Sequence, residues 1–218
     1  MQLSLGFDPD EFYFNDTDRD ASRRTLGIGP GEIALVTATR VMRGKGLEGI
    51  IGQVSALARS GIPVRYVIVG LLEDDYAAEL LKFISSQPDP TRFACLPFQD
   101  HEGIRRVYCA ADIGIWIKAA ISIQAAMGTG LPVILEDKPV VRHLVRDGDN
   151  GWFFPVGGLE ARMRAAVAQL AALSPTERAT ARRARAEANR LQLSYDILAA
   201  QIIDGLATRS APNVPYQA

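Results

Sequence analysis

Three cations fall within six residues in the stretch TRVMRGKG, residues 39–46: Arg40, Arg43 and Lys45, set beside Gly44 and Gly46. Fixed positive charge next to glycines and a following helix start suits a phosphate or diphosphate, because side-chain charge and backbone N–H groups converge there. The same composition also describes a solvated basic loop, and the motif alone leaves both readings open. A second candidate is Ser122 in KAAISIQAAMGTGLPVIL, residues 118–135. A serine hydroxyl at a helix start, with unpaired N–H groups around it, forms another anion cradle. Ala125, Ala126 and Gly128 equally fit an ordinary N-cap on a helix that lies close against a sheet. No carboxylate follows Lys118 until Glu136, so this stretch brings no general acid or base of its own.

Other patterns lack the spacing their chemistry needs. The glycines of GIGPG, residues 27–31, precede an apolar run, the wrong side for a dinucleotide fingerprint. GKG, residues 44–46, lacks the hydroxyl residue and the earlier glycine of a phosphate-binding P-loop. His101 and His143 lie far apart, near no cysteine pair or carboxylate pair, and read as surface or helix-end residues. Cys95 and Cys109 have no metal-ligand spacing, and no G-x-S-x-G nucleophile elbow occurs.

The elements that position these residues follow from short apolar runs alternating with amphipathic stretches. Ile33–Ala38 (IALVTA) reads as a buried strand, followed by a helix with Leu47, Ile50, Ile51, Val54 and Leu57 on one face. Arg65–Gly70 is a second strand and Tyr76–Ile84 a second helix. Arg92–Leu96 is a weaker strand ahead of a helix near Glu102–Ala110. Asp112–Ile117, the helix near Ser122 and Leu131–Leu135 continue the alternation. Continuous apolar strands joined by helices imply a parallel sheet covered on both faces, so the expected fold is α/β, doubly wound and Rossmann-like. Extra C-terminal helices follow: Ser174-Pro175-Thr176-Glu177 is a capping box with proline in the first turn, and a last helix spans about Tyr195–Leu206. In such sheets ligands bind at the carboxyl ends of the strands, where both candidates fall.

Composition narrows the function. The chain has 218 residues, 48% of them apolar, and a net charge of −1. That balance argues against a dedicated nucleic-acid binder. No apolar run approaches a membrane span, and the start is not a signal peptide. Two cysteines make no disulfide framework, which fits a reducing cytoplasm. The 20 arginines against four lysines read as a genome bias.

Taken together, the motifs resemble glycosyltransferase family 4, whose members have two Rossmann-like domains. ATRVMRGKGLEGII is similar to the family's segment carrying an arginine and a Lys-Gly before a helix. VIVG, VYCAADIGIW, AAMGTGLPVI and VRDGDNGWFFPVG follow in the family's order, and LGFDPDEF, residues 5–12, is similar to the opening of its second domain. The resemblance implies that residues 1–207 form the donor-binding domain and that 208–218 are a loose tail. The acceptor-binding N-terminal domain is then expected from elsewhere, in cis or in trans. It further implies a retaining, metal-independent transfer from a nucleotide diphosphate sugar, with no cofactor, to a bacterial envelope or exopolysaccharide-type acceptor. The protein would be cytoplasmic, peripheral at the inner membrane through the other domain. Arg40, Lys45 and Ser122 would hold the diphosphate, and Pro97, Phe98, Gln124 and Ala125 would line the base, ribose and sugar pocket.

One departure stands out. The resemblance places two glutamates in the loop and helix around residues 118–125, and neither is present here; Ala125 takes the second position. Gln124, Glu136 and Asp137 are the nearest groups able to compensate. The alternative is therefore a non-catalytic nucleotide- or partner-binding domain that keeps the fold without the paired glutamates.

Overall fold

The computed structural model describes residues 5–209. Its centre is a six-stranded sheet in the order β3-β2-β1-β4-β5-β6, with every neighbouring pair parallel. The strands are β1 (Ile33–Ala38), β2 (Val64–Leu71), β3 (Phe93–Pro97), β4 (Ile113–Trp116), β5 (Val133–Glu136) and β6 (Gly151–Phe154). All six side chains of β1 are buried, as a strand covered on both faces requires.

Alternation along the strands sorts the core into two layers. Ile33 and Leu35 of β1 point to one face, where α2 (Leu47–Arg59), α3 (Asp75–Ser85) and α6 (Leu159–Ala171) supply Ile50, Val54, Leu80 and Val167. Ala34, Val36 and Ala38 point to the other. There α4 (His101–Ala110), α5 (Ser122–Gly128) and α7 (Pro175–Leu193) supply Tyr108, Ile123, Met127 and Leu193. The small residues of α5 let it lie close: a Cβ added at Gly128 would come within 2.6 Å of the Phe7 ring.

Three elements were not anticipated from the sequence: α1 (Asp16–Thr25), β6 and α6. α1 buries no residue of its own and is held by polar anchors. Arg19 donates to the carbonyls of Cys109, Ala110 and Ala111 at the end of α4, and both Arg19 and Arg23 pair with Asp112. The capping box at Ser174 and Glu177 forms in both directions. The last helix, α8 (Tyr195–Arg209), runs slightly past its expected end. The tail expected from residue 208 lies outside the described residues from 210 onward.

Candidate functional site

Strand order reverses between β1 and β4, the place where a doubly wound sheet opens a crevice at the carboxyl ends of its strands. An open cleft of about 2400 Å³, mouth included, lies there. Ala38 and Thr39 at the end of β1, Arg40, Lys45 and Gly70 form part of it, and Ala120, Ile121, Ser122 and Ala125 form the facing wall. Much of that space is open to solvent, so it is a cleft rather than a closed chamber.

The floor is fixed by a buried polar relay. Tyr66 Oη donates to Thr37 Oγ1 at 2.7 Å, and Thr37 Oγ1 donates to the Ile115 carbonyl at 2.6 Å, joining β2, β1 and β4. Burial, the largest influence, holds the Tyr66 phenol well above its usual range. The Ala38 carbonyl then accepts from Trp116 Nε1 at 3.0 Å and from Ser122 Oγ at 2.6 Å. The Ser122 carbonyl in turn accepts from Tyr108 Oη at 3.1 Å.

The loop after β1 separates its three cations. Arg43 pairs with Glu79 at 2.5 Å and stacks over Tyr76, outside the cleft lining. Arg40 and Lys45 both line the cleft, and among the described residues neither has an ion-pair partner. Gly46 makes the turn between them and α2 possible. Its φ is +77°, and a Cβ there would press within 2.5 Å of Ile117 Cδ1.

The start of α5 departs from the expected cradle. Ile121 is the N-cap and Ser122 the first helical residue, so its hydroxyl donates to Ala38 instead of capping the helix. The N–H groups of Ile123 and Gln124 already turn back to the carbonyls of Ala120 and Ile121 at 3.2 and 3.3 Å. Ser122 thus reaches the cleft from a first turn that is partly self-satisfied.

The remaining expected pocket residues divide. Phe98, 78% exposed, and Ala125 line the cleft, whereas Pro97 and Gln124 are absent from its lining. Gln124 is buried and its Oε1 accepts no hydrogen bond. Glu136 and Asp137 do not reach the cleft either: Glu136 pairs with Lys138, and Asp137 with Arg142 at 2.6 Å. His101, at the start of α4, pairs with Glu11 at 2.5 Å.

One wall had not been anticipated. Residues 6–13 run along the cleft opposite Arg40 and carry Asp8, Glu11 and Tyr13 into it. Asp8 organises a tight turn, accepting from the N–H groups of Asp10 and Phe12. Phe7 pairs with Leu193 and Tyr195, which brings the start of α8 to the rim. The Asp-Pro-Asp turn signal of residues 8–10 was the available clue.

A family model described as glycosyl transferases group 1 matches residues 18–187. A D-inositol 3-phosphate glycosyltransferase of Rhodococcus erythropolis is 30% identical over 185 residues, covering 72% of this chain and 40% of its own length. An amylovoran biosynthesis glycosyltransferase of Erwinia amylovora is 26% identical over 167 residues, 72% of this chain and 38% of its own. The chain thus spans about two fifths of the curated relatives it matches. Among solved structures, Anabaena HepE in complex with UDP-glucose superposes with a TM-score of 0.76 at 20% identity, over 94% of this chain and 57% of that one. A sucrose-phosphate synthase of Thermosynechococcus elongatus gives 0.75 at 18% identity, over 96% and 52%. At these identities the superpositions speak for the fold alone.

Proposed function

The chain belongs to the group 1 glycosyl transferases, and from that membership we propose that it is a donor-binding domain, taking a nucleotide diphosphate sugar into the cleft between β1 and β4. The observation that carries this reading is the pair Arg40 and Lys45: two cations without ion-pair partners among the described residues, on one cleft wall, beside the start of α2. A diphosphate there meets two cations that, among the described residues, no carboxylate pairs directly, although Asp8 and Glu11 line the same cleft. As the bond to the sugar breaks, negative charge grows on the leaving diphosphate, and fixed cations in a preorganised site stabilise that state more than the ground state. The proposed transfer retains anomeric configuration and relies on these side chains rather than a divalent cation. The structural neighbour HepE was solved with UDP-glucose, which supports a nucleotide sugar as ligand.

The relatives are more than twice as long as the matched segment, and this reading assigns acceptor binding to a further domain, in cis or in trans. An envelope or exopolysaccharide-type acceptor agrees with the amylovoran relative. Residues 1–207 serve as the donor domain, in the cytoplasm or at the inner membrane through the other domain.

A second reading is favoured by one observation, the methyl group of Ala125 on the cleft wall where the resemblance places a carboxylate. On it the chain binds a nucleotide or a partner without turnover. A thermal-shift screen against UDP, GDP, ADP and their sugar conjugates tests the first reading, since a ligand that binds only the folded state raises its melting temperature. One base giving a saturable rise, larger with the sugar attached, is expected. No rise with any nucleotide would overturn donor binding and leave partner binding.

A further inference from the structure

At the opposite edge of the sheet, before β4 and β5, a shallow recess opens between α1 and α7, about 300 Å³ with the solvent at its mouth included. Arg19, Arg178, Arg182 and Arg185 line it, and Asp112 is the one carboxylate among its lining residues. Arg178, Arg182 and Arg185 are spaced i, i+4, i+7 and so share one face of α7. Phe14, Pro132 and Leu170 complete the walls and lower the local polarity.

Each charged side chain in the recess makes several hydrogen bonds, with two exceptions. Asp112 is fully engaged: Oδ1 accepts from Arg19, and Oδ2 from Arg23 and the Ala34 N–H. Arg182 donates only to neutral groups, the carbonyls of Tyr108, Ala111 and Thr129 and the Thr129 hydroxyl. Burial draws its guanidinium down to about 9, still cationic at neutral pH. The exceptions are Arg178 and Arg185. Arg185 makes one bond, Nε to the Asp149 carbonyl at 3.0 Å. Among the described residues the half-buried Arg178 side chain makes none, and its Nε is buried without an acceptor. An orphaned, charged donor inside a protein is costly and calls for an explanation.

We propose that this recess is a phosphate-binding site, separate from the donor cleft, in which Arg178 and Arg185 clasp a divalent tetrahedral oxyanion above Arg182. Two planar guanidinium forks present several donors each, which matches phosphate oxygens in number and geometry. Among the described residues Arg178 and Arg182 have no paired carboxylate and Arg185 only the charge of Asp149, itself paired with Arg146; a divalent ion answers that excess better than a single carboxylate group does. The phosphate comes from a soluble phosphate monoester or from a lipid whose headgroup is one, as in phosphatidic acid; both present the same terminal phosphate.

The test uses the full chain and pyrophosphate as probe, with phosphatidic acid vesicles as a second arm. Arg178 makes no bond and Arg185 only one, so Arg178→Gln/Arg185→Gln leaves the fold's hydrogen bonds nearly intact. Arg178→Gln alone breaks none. Pyrophosphate at a hundredfold excess is expected to raise the melting temperature by about 5–10 °C, saturably. The rise persists in part in Arg40→Ala/Lys45→Ala, which removes the donor cleft's cations, and disappears when Arg178→Gln/Arg185→Gln is added to that background. Arg178→Gln alone raises the half-saturating concentration about tenfold or more. Flotation with phosphatidic acid but not phosphatidylcholine vesicles, lost in Arg178→Gln/Arg185→Gln, would assign the phosphate to a lipid. An equal rise when Arg178→Gln/Arg185→Gln is added to Arg40→Ala/Lys45→Ala, a matching rise with potassium chloride of equal ionic strength, or no response to either probe overturns the proposal. Loss of the rise in Arg40→Ala/Lys45→Ala instead assigns pyrophosphate to the donor cleft.

Discussion

Arg40 and Arg43 stand three residues apart in one loop, yet only Arg40 faces the cleft, because Glu79 and Tyr76 draw Arg43 away. A cation already paired at the surface has little left to give an anion, whereas an unpaired one keeps its full charge. Ala125 poses the converse case, a neutral methyl group on the wall facing those cations. Ala125→Glu is expected to tighten nucleotide-sugar binding tenfold or more in calorimetry, since each charge-assisted bond to a sugar hydroxyl is worth about 1.5–3 kcal/mol. In the empty domain the same change is nearly neutral: a carboxylate near a helix start gains about 0.3–1 kcal/mol, offset by enlarging a residue packed on the core. Unchanged affinity for every nucleotide sugar would contradict the ribose or sugar placement of Ala125. Asp112 carries the clearest pH signature. Burial opposes its charge, but Arg19, Arg23 and the Ala34 N–H outweigh burial and hold its carboxyl below the ordinary range. Burial also lowers Arg23, which stays cationic wherever the protein folds, so the pair's titration lies with Asp112. With a depressed folded pKa, its contribution is present above the ordinary aspartate value, about 3.9, and is lost as pH falls through the folded value. Asp112→Asn is expected to cost about 3–5 kcal/mol at pH 7 by chemical denaturation, with a shallower loss of stability than wild type below about pH 4.

Among the elements, β1 and α2 were legible in the sequence because one physical signal dominates each: an unbroken apolar run, and an apolar stripe of helical period. The capping box announced α7 for a similarly local reason. α1 was not legible, since it buries no side chain and its stability comes from Arg19 and Arg23 reaching about 90 residues ahead to α4 and Asp112. β6 escaped because its four residues GWFF follow a turn-rich stretch, and only pairing with β5 makes them a strand. In the cleft, Arg40 and Lys45 could be read from their spacing, but the separation of Arg43 from them depends on Glu79 of α3. The wall at residues 6–13 depends on α8. The joint between α5 and α7 yields a prediction at this scale. Gly130 sits just past α5 at φ +68°, and a Cβ there would lie 2.1 Å from the Arg182 carbonyl. Gly130→Ala therefore combines left-handed strain with a backbone clash and is expected to destabilise by about 2 kcal/mol or more, read as a shifted urea midpoint at constant slope. Gly157→Ala, with φ +80° and open space, is the control and should cost less.

The whole molecule presents its cleft toward one side, and apolar side chains gather at the rim: Phe98 is 78% exposed, Ile121 68% and Tyr195 52%. Exposed apolar side chains beside a cleft suit a surface that docks another protein layer, as the proposed second domain would require. The isolated chain is expected to self-associate at high concentration in light scattering, and Phe98→Ser/Ile121→Ser to reduce that association without lowering the melting temperature. A wild-type chain that stays monomeric at all concentrations would contradict an apolar docking rim. Because the parallel sheet is buried on both faces, the ligand site can be altered at its edge while the core remains intact, which lets binding be tested apart from folding. The measurement that bears most directly on function is calorimetric titration of wild type and Arg40→Ala/Lys45→Ala with the nucleoside diphosphate that gives the largest thermal shift. Saturable binding by wild type, weakened at least a hundredfold in the folded double variant, is the expected result, in line with about 1.5–3 kcal/mol per charge-assisted contact. Equal affinity in the two proteins would contradict the assignment of the β1–β4 cleft as the diphosphate site.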